Sequence, residues 1–460
     1  MKSACSLFIF SILLSSKLIF CQTISSQKID ERLNKAISFL DENQVKKTEP
    51  NKTFFGEWPS YMHMSNPYFL LGKAQKYRDS NCFSMTGIFN ALAEGYQYDT
   101  TQYALKTILK NGFQELLSYR QNEKFNFWKS LPANRNLSIK ERKDTLIYVR
   151  RPTHYKLKSR FINNAANIAF DADDTSMGNL AIFYHNKIFS DTSVNYVSPA
   201  LFDNYLDKDR HNYHWHNYLV RIPRKSGAYL TWLEQEDYFK RWTFLKAVAN
   251  NLVFFLPLSS AFPTPYKPYV PWGANDLDAV VNANVLTYLA TTNQLVNAKG
   301  KEGANVLISH QIKRQRWSRA GMYYPNRYHF HYAATRAIVA GNKDLNKVNS
   351  ALLNYLLKTQ KNDGHFESRR KVHNRDYIQS TVYATLSLLN LKESGENIPK
   401  EKIEKSIFYL LSHQKSNGSW SGGVFFSGGT VVRNVLYFKS DSYTTALMVL
   451  ALNKYKKMYK

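Results

Sequence analysis

The sequence predicts an all-α fold assembled from repeated helical hairpins, and two observations carry that prediction. First, "YLLKTQKNDGHF" (355–366) and "YLLSHQKSNGSW" (409–420) align without a gap at a period of about 54 residues, sharing Tyr, Leu, Leu, Gln, Lys, Gly and a final aromatic. Second, each is followed by an apolar stretch at helical spacing, while almost no part of the chain alternates apolar and polar residues as a half-buried strand would.

Taken in chain order, "MKSACSLFIFSILLSSKLIFCQT" places Lys2 before an apolar run that reaches Phe20. This reads as a signal peptide over 1–22, cleaved near Cys21, with an uncleaved anchor as the alternative. The protein is therefore expected to be secreted or periplasmic, with 23–460 forming a single domain. "AISFLDENQ" and "GEW" (36–44, 56–58) give a first copy of the repeat. "LLSYRQNEKFNFW" (116–128) and "VLISHQIKRQRWSRAGMYY" (306–324) are degenerate copies, and the clearest repeats lie in 345–460. The second helices of the last two units, "STVYATLSLLNL" (380–391) and "SYTTALMVLALNKY" (442–455), are expected to start at their serines, which are good N-caps. A hairpin of this kind takes roughly 40 residues, so about six fit, with insertions. In each unit a Gln amide can tie a helix end to the next unit, Gly permits a left-handed turn, and the aromatic fills the gap between pairs. These residues are read as staples rather than catalysts.

The net charge is +27, or about +25 without Lys2 and Lys17. Such an excess suits a polyanionic partner, including the anionic surface of a membrane in peripheral contact, or is simply a solvated basic surface. Export argues against nucleic acid. After cleavage Cys82 alone remains, which excludes an intrachain disulfide. The proline-broken run at 251–273 is too interrupted to span a membrane and reads as a loop. His211, His214 and His216 have His-x-His spacing, but no nearby Cys or acidic pair completes a zinc site.

The candidate chemistry lies in "FDADDTSM" (170–177), where Asp171, Asp173 and Asp174 precede an apolar run. The acids could simply start a helix, where negative charge is favoured by ~0.3–1 kcal/mol each. Alternatively, three carboxylates this close cannot all ionise in a desolvated site, so at least one is held neutral and can act as an acid. A second cluster, Asp276 and Asp278 with Asn282 at i, i+4 from Asp278, sits at another apparent helix start. The two clusters could be unrelated caps. If they meet, they could hold Ca²⁺, Mg²⁺ or a sugar.

The segments 355–366 and 409–420 resemble the QW motifs of the prenyltransferase and squalene-cyclase repeat superfamily. "DADDTS" (171–176) resembles the Asp-x-Asp-Asp-Thr-Ala motif of class II terpenoid cyclases, with Ser in place of Ala. The strings at 276–286, 227–233 and 322–337 are similar to segments of bacterial members of the same superfamily, consistent with an exported subgroup. The resemblance implies an α/α-toroid and no cofactor. It implies a hydrophobic small-molecule or lipid substrate, with acid-initiated cyclisation or isomerisation of a membrane-derived isoprenoid. Asp173 would then be the proton donor, with Asp171 and Asp174 holding it in its acidic form. A different class remains open, an exported toroid that binds or cleaves an anionic polysaccharide, for which Tyr323, Tyr324, Asn326, Arg327, His329 and Arg336 would supply base and carboxylate-neutralising groups. A third is a non-catalytic scaffold for a lipid or partner.

Overall fold

A computed structural model describes residues 24–50, 52–64, 75–132, 148–153, 168–209, 222–234, 275–368, 376–428 and 436–460. The leader over 1–22, the histidines at 211, 214 and 216, and the run 251–273 lie outside the described residues.

Six helices buried nearly all round form an inner ring: α2 (Cys82–Tyr98), α4 (Ala172–Phe189), α6 (Ala279–Thr291), α8 (Arg327–Val339), α10 (Tyr377–Glu393) and α12 (Asp441–Tyr459). Each packs on the next, and α12 packs back on α2, so the ring is closed. Outside it lie α1 (Ser26–Asn43), α3 (Tyr103–Leu117), the short α5 (Ala200–Asp203), α7 (Lys301–Lys313), α9 (Asn349–Thr359) and α11 (Lys400–Ser412). The longer outer helices bury one face only, as an apolar stripe backed by charged residues dictates. Outer and inner helices alternate along the chain, which gives six hairpins and the α/α-toroid. Because every outer helix returns the chain, the inner helices run parallel and their N-termini share one end.

The repeats act as staples between outer helices. Gln44 Nε2 donates to Gly56 O (3.0 Å) and to Ile108 O of α3 (2.9 Å). Gln360 Nε2 reaches Lys402 O of α11 (2.7 Å), and Gln414 Nε2 reaches Arg32 O of α1 (2.9 Å). The last repeat therefore closes the ring onto the first helix. In the first and last repeats the Trp indole N–H returns to the helix behind it, Trp58 to Leu40 O (2.9 Å) and Trp420 to Leu410 O (2.6 Å). Gly418 sits at φ +87°, and a Cβ there would lie 2.2 Å from Lys35 O, so only glycine lets the turn seat on α1.

The structure departs from expectation at two points. Helix α10 begins at Tyr377 and α12 at Asp441, so Ser380 lies inside its helix; Ser440 rather than Ser442 caps α12, its hydroxyl accepting from Tyr443 N–H (3.2 Å). A four-stranded antiparallel sheet, in the order β2 (Gln75–Arg78), β1 (Tyr61–Met64), β4 (Leu436–Lys439), β3 (Val424–Ser427), covers the N-terminal end of the ring. Its strands have four residues each, and Tyr61 pairs with Lys439 across nearly the whole chain, a contact that local periodicity does not encode.

Candidate active site at the N-terminal end of the ring

Asp171 caps α4: its Oδ1 accepts from Asp174 N–H at 2.7 Å. Asp173 and Asp174 follow in the first turn, and all three carboxyls are buried, at 6%, 5% and 2% exposure. Asp278 caps α6, accepting from Val280 N–H (2.8 Å) and Val281 N–H (3.3 Å), while its second oxygen accepts from Met322 N–H (2.6 Å). Both clusters therefore do cap helices. Capping leaves Asp173 and Asp174 unexplained, because neither is an N-cap.

The two clusters meet in space. Thr231 bridges them, its carbonyl accepting from Ala172 N–H (2.8 Å) and its N–H donating to Asp276 O (3.0 Å). The Thr231 hydroxyl also donates to Asp276 Oδ1, while Trp232 Nε1 (3.3 Å) and Tyr323 OH (2.9 Å) donate to Oδ2. The Tyr323–Tyr324 pair serves both clusters, because Tyr324 OH donates to Asp173 Oδ2. Asp173 Oδ1 accepts from Asn284 Nδ2 at 2.7 Å.

Asn284 was not among the sequence candidates; Asn282 was. Asn282 instead braces the backbone, accepting from Tyr229 N–H and donating to Tyr229 O, both at 2.9 Å. Its i, i+4 relation to Asp278 puts it on the face that meets segment 229–231, whereas Asn284 falls on the face toward Asp173. The signal for Asn284 was its polarity inside an otherwise apolar helix, where a buried amide requires a partner. The partners of Asp276 and Asp278 are hydrogen-bond donors, and among the described residues no three acidic, His or Cys side chains converge on a cation.

Electrostatics separate the acids. Burial, with the Asp171 charge second, pushes Asp173 well above the ordinary carboxylate range against the opposing hydrogen bond from Asn284. Asp174 is likewise driven well up, by burial and then by Asp171 and Asp173. Asp171 rises only to about 6, since burial is offset by the hydrogen bonds it accepts in capping α4. Burial followed by the Asp276 charge lifts Asp278 to about 7. Burial thus favours the neutral carboxylic acid at Asp173 and Asp174 more strongly than at Asp171.

Aromatic rings pack around the Asp173–Tyr324 hydrogen bond. Tyr324 stands edge-on to His329 (centroids 4.7 Å apart) and Phe426 (6.1 Å), and Phe83 stacks on Phe425 of the covering sheet (5.5 Å). His329 stacks on Tyr383 at 4.6 Å, and Tyr383 OH donates to Tyr443 OH at 3.1 Å. Burial holds the His329 imidazole neutral, at about 3. His331 also lies on α8 but packs against Trp317 and Tyr355 (4.3 and 4.9 Å), away from this cluster. Arg336 lies three turns along α8 from Asn326, paired to Glu94, and does not contact the carboxylates.

A closed ring of parallel inner helices with a buried acid cluster at their N-terminal end defines the architecture, an α/α-toroid. Comparison with known proteins agrees. Residues 274–457 match the family described as the squalene-hopene cyclase C-terminal domain. The solved type II terpene cyclase MstE from Scytonema, without ligand, superposes with a TM-score of 0.51 at 13% identity over 94% of this chain and 98% of that one. An Arg→Ala variant of it in complex with its substrate, geranylgeranyl dihydroxybenzoate, gives 0.52 at 14% identity over 94% and 98%. A protein from Actinoplanes gives 0.50 at 12% over 93% and 99%. No curated protein matches by sequence. The C-terminal part of the chain is thus similar to the squalene-hopene cyclase C-terminal family, and the whole shares the α/α-toroid fold of the type II terpene cyclases.

Proposed function

We propose that this protein is an acid-initiated isoprenoid cyclase or isomerase with Asp173 as the proton donor. The observation that carries the reading is a buried carboxyl kept neutral by its surroundings, with both oxygens engaged by Asn284 and Tyr324, among aromatic rings. The two influences divide the work. Burial and the neighbouring acids keep the proton on Asp173 at neutral pH, and the two donors already aimed at its oxygens stabilise the carboxylate that forms when the proton leaves. The Oδ–H bond breaks as a C–H bond forms at a terminal alkene. Neighbouring π-bonds then close on the cation, aromatic faces such as those of Tyr324, Tyr383 and Tyr443 stabilise the charge, and transfer of a proton from the far carbon to water, balanced by reprotonation of Asp173 from solvent, yields an isomer. The charge of Asp171, and after it that of Asp278, favours the proton on Asp173, while Asp174 adds a second buried acid beside them. With export, the substrate would be drawn from a membrane, and the basic surface would favour contact with anionic lipid headgroups.

The test is to incubate the purified protein with linear polyprenyl compounds and look for products of unchanged mass and altered retention. Asp173→Asn should abolish them. Products formed equally by wild type and variant would overturn the assignment.

A further inference from the structure

At the opposite end of the ring, the C-terminal thirds of α2, α4, α6, α8 and α10 enclose a cavity of about 330 Å³. Its lining combines Tyr98, Tyr184 and an unusual set of charges, Glu94, Arg336, Glu393 and, nearer the rim, Lys187. Lys454 of α12 completes the set from behind, fully buried, 2.8 Å from Glu393 and 3.9 Å from Glu94, and donating to Asn390. Two acids meet two buried cations there, and Lys187, held by Gln97 at 2.7 Å, leaves one positive charge in excess.

Arg336 is the member whose demands are only partly met, by Glu94 and by the Tyr184 hydroxyl. It is 4% exposed, and a guanidinium carries five N–H donors that need oxygen acceptors. Its Nε donates to Glu94 Oε2 at 3.2 Å, Nη2 meets that same oxygen without hydrogen-bond geometry, and Nη1 approaches the thioether of Met177 at 3.8 Å. Met177 lies one helical turn beyond Asp173 on α4, so Arg336 stands on the side of this cavity that faces the acid. Lys187, fourteen residues beyond Asp173, marks a depth of roughly 21 Å along the helix.

We infer that this cavity binds the carboxylate head group of the substrate, with Arg336 as its ion partner and the isoprenoid tail directed at Asp173. The inference rests on the acid-initiated reading. That reading requires the protonated alkene at one end of a linear chain, which leaves the other end a chain length away along the ring axis. The fork of Arg336 already holds one carboxylate, Glu94, and so has the geometry for a second.

The test measures equilibrium binding to the Asp173→Asn protein, so that turnover does not enter, with geranylgeranoic acid and geranylgeraniol as probes. The acid should bind at least about 10-fold more tightly than the alcohol, the effect of one charge-assisted hydrogen bond. Adding Arg336→Gln should erase that preference and leave alcohol affinity unchanged. Adding Glu94→Gln should enlarge the preference by freeing the guanidinium. If Arg336→Gln does not fold, Lys187→Gln at the rim should still reduce it. Equal affinity for acid and alcohol, a preference that survives Arg336→Gln, or no binding of either probe would overturn the head-group assignment. Failure of the acid-initiated reading would appear separately, as absence of product in wild type while the binding preference persists.

Discussion

Replacing Tyr324 by Phe tests the acid assignment with little change of shape. Tyr324 is 2% exposed and its ring is fixed by Phe83, His329 and Phe426, so Phe keeps the packing and removes only the donor to Asp173 Oδ2. In the ground state Asp173 is neutral, and the lost bond is a modest one. In the transition state the carboxyl is becoming a carboxylate, and a hydrogen bond to a charged acceptor contributes about 1.5–3 kcal/mol. Turnover should therefore fall by roughly 10- to 150-fold with little change in KM, because the interaction is strongest where charge develops. The pH dependence has a definite sign. A donor to the carboxylate favours ionisation, so its removal raises the Asp173 pKa and moves the alkaline limb of the rate profile to higher pH. Steady-state cyclisation across pH, with near-UV circular dichroism as a check on packing, reads both quantities. Wild-type turnover in the variant, or an alkaline limb that moves down, would refute the reasoning.

Other outcomes follow from the same contacts. Asp173→Asn should lower turnover by at least about 10²–10⁴-fold, the range for loss of a general acid, yet shift stability by less than about 1 kcal/mol because the native carboxyl is already neutral; thermal denaturation would expose a larger shift. Asp79 and Glu115, each pushed to about 7, join Asp171 at about 6 and Asp278 at about 7, in every case through burial first. Acids raised in the native state bind more protons than in the unfolded chain, so these four should make the protein lose stability as pH rises from about 4 to 7, as followed by melting temperature against pH. Gly418→Ala should destabilise by about 3 kcal/mol or more, from left-handed strain and the clash with Lys35 O, whereas Gly395→Ala, at φ +101° with open space around it, should cost only about 1–2 kcal/mol of strain. Denaturant midpoints compare the two.

What the sequence disclosed depended on range. The staple at 409–420 was legible because its glutamine, glycine and tryptophan act within a few residues of one another, although their partner on α1 was not. The acid clusters were legible as caps and as crowded carboxylates. The residues that position Asp173 were only half visible. Tyr324 stood out in an aromatic-rich segment, but Asn284 did not, because choosing between Asn282 and Asn284 requires knowing which face of α6 meets the acid. The sheet was missed because its strands are short and pair first with last. The charges around Arg336 lie on four different helices, with no motif to join them.

The ring closure has a consequence for how the molecule is made. Helix α12 and strand β4, among the last elements to leave the ribosome, dock on α2 and β1, among the first. An open solenoid can shield its last unit with a polar cap and gain repeats one at a time. A closed ring has no end unit, so its early helices emerge with one flank uncovered until the final repeat arrives. The arrangement also permits re-cutting. Lys456 of α12 lies 2.7 Å from Asp30 of α1, so a short linker from 460 to 24, with new termini opened in the loop after α9, should return the same closed toroid from a rearranged chain.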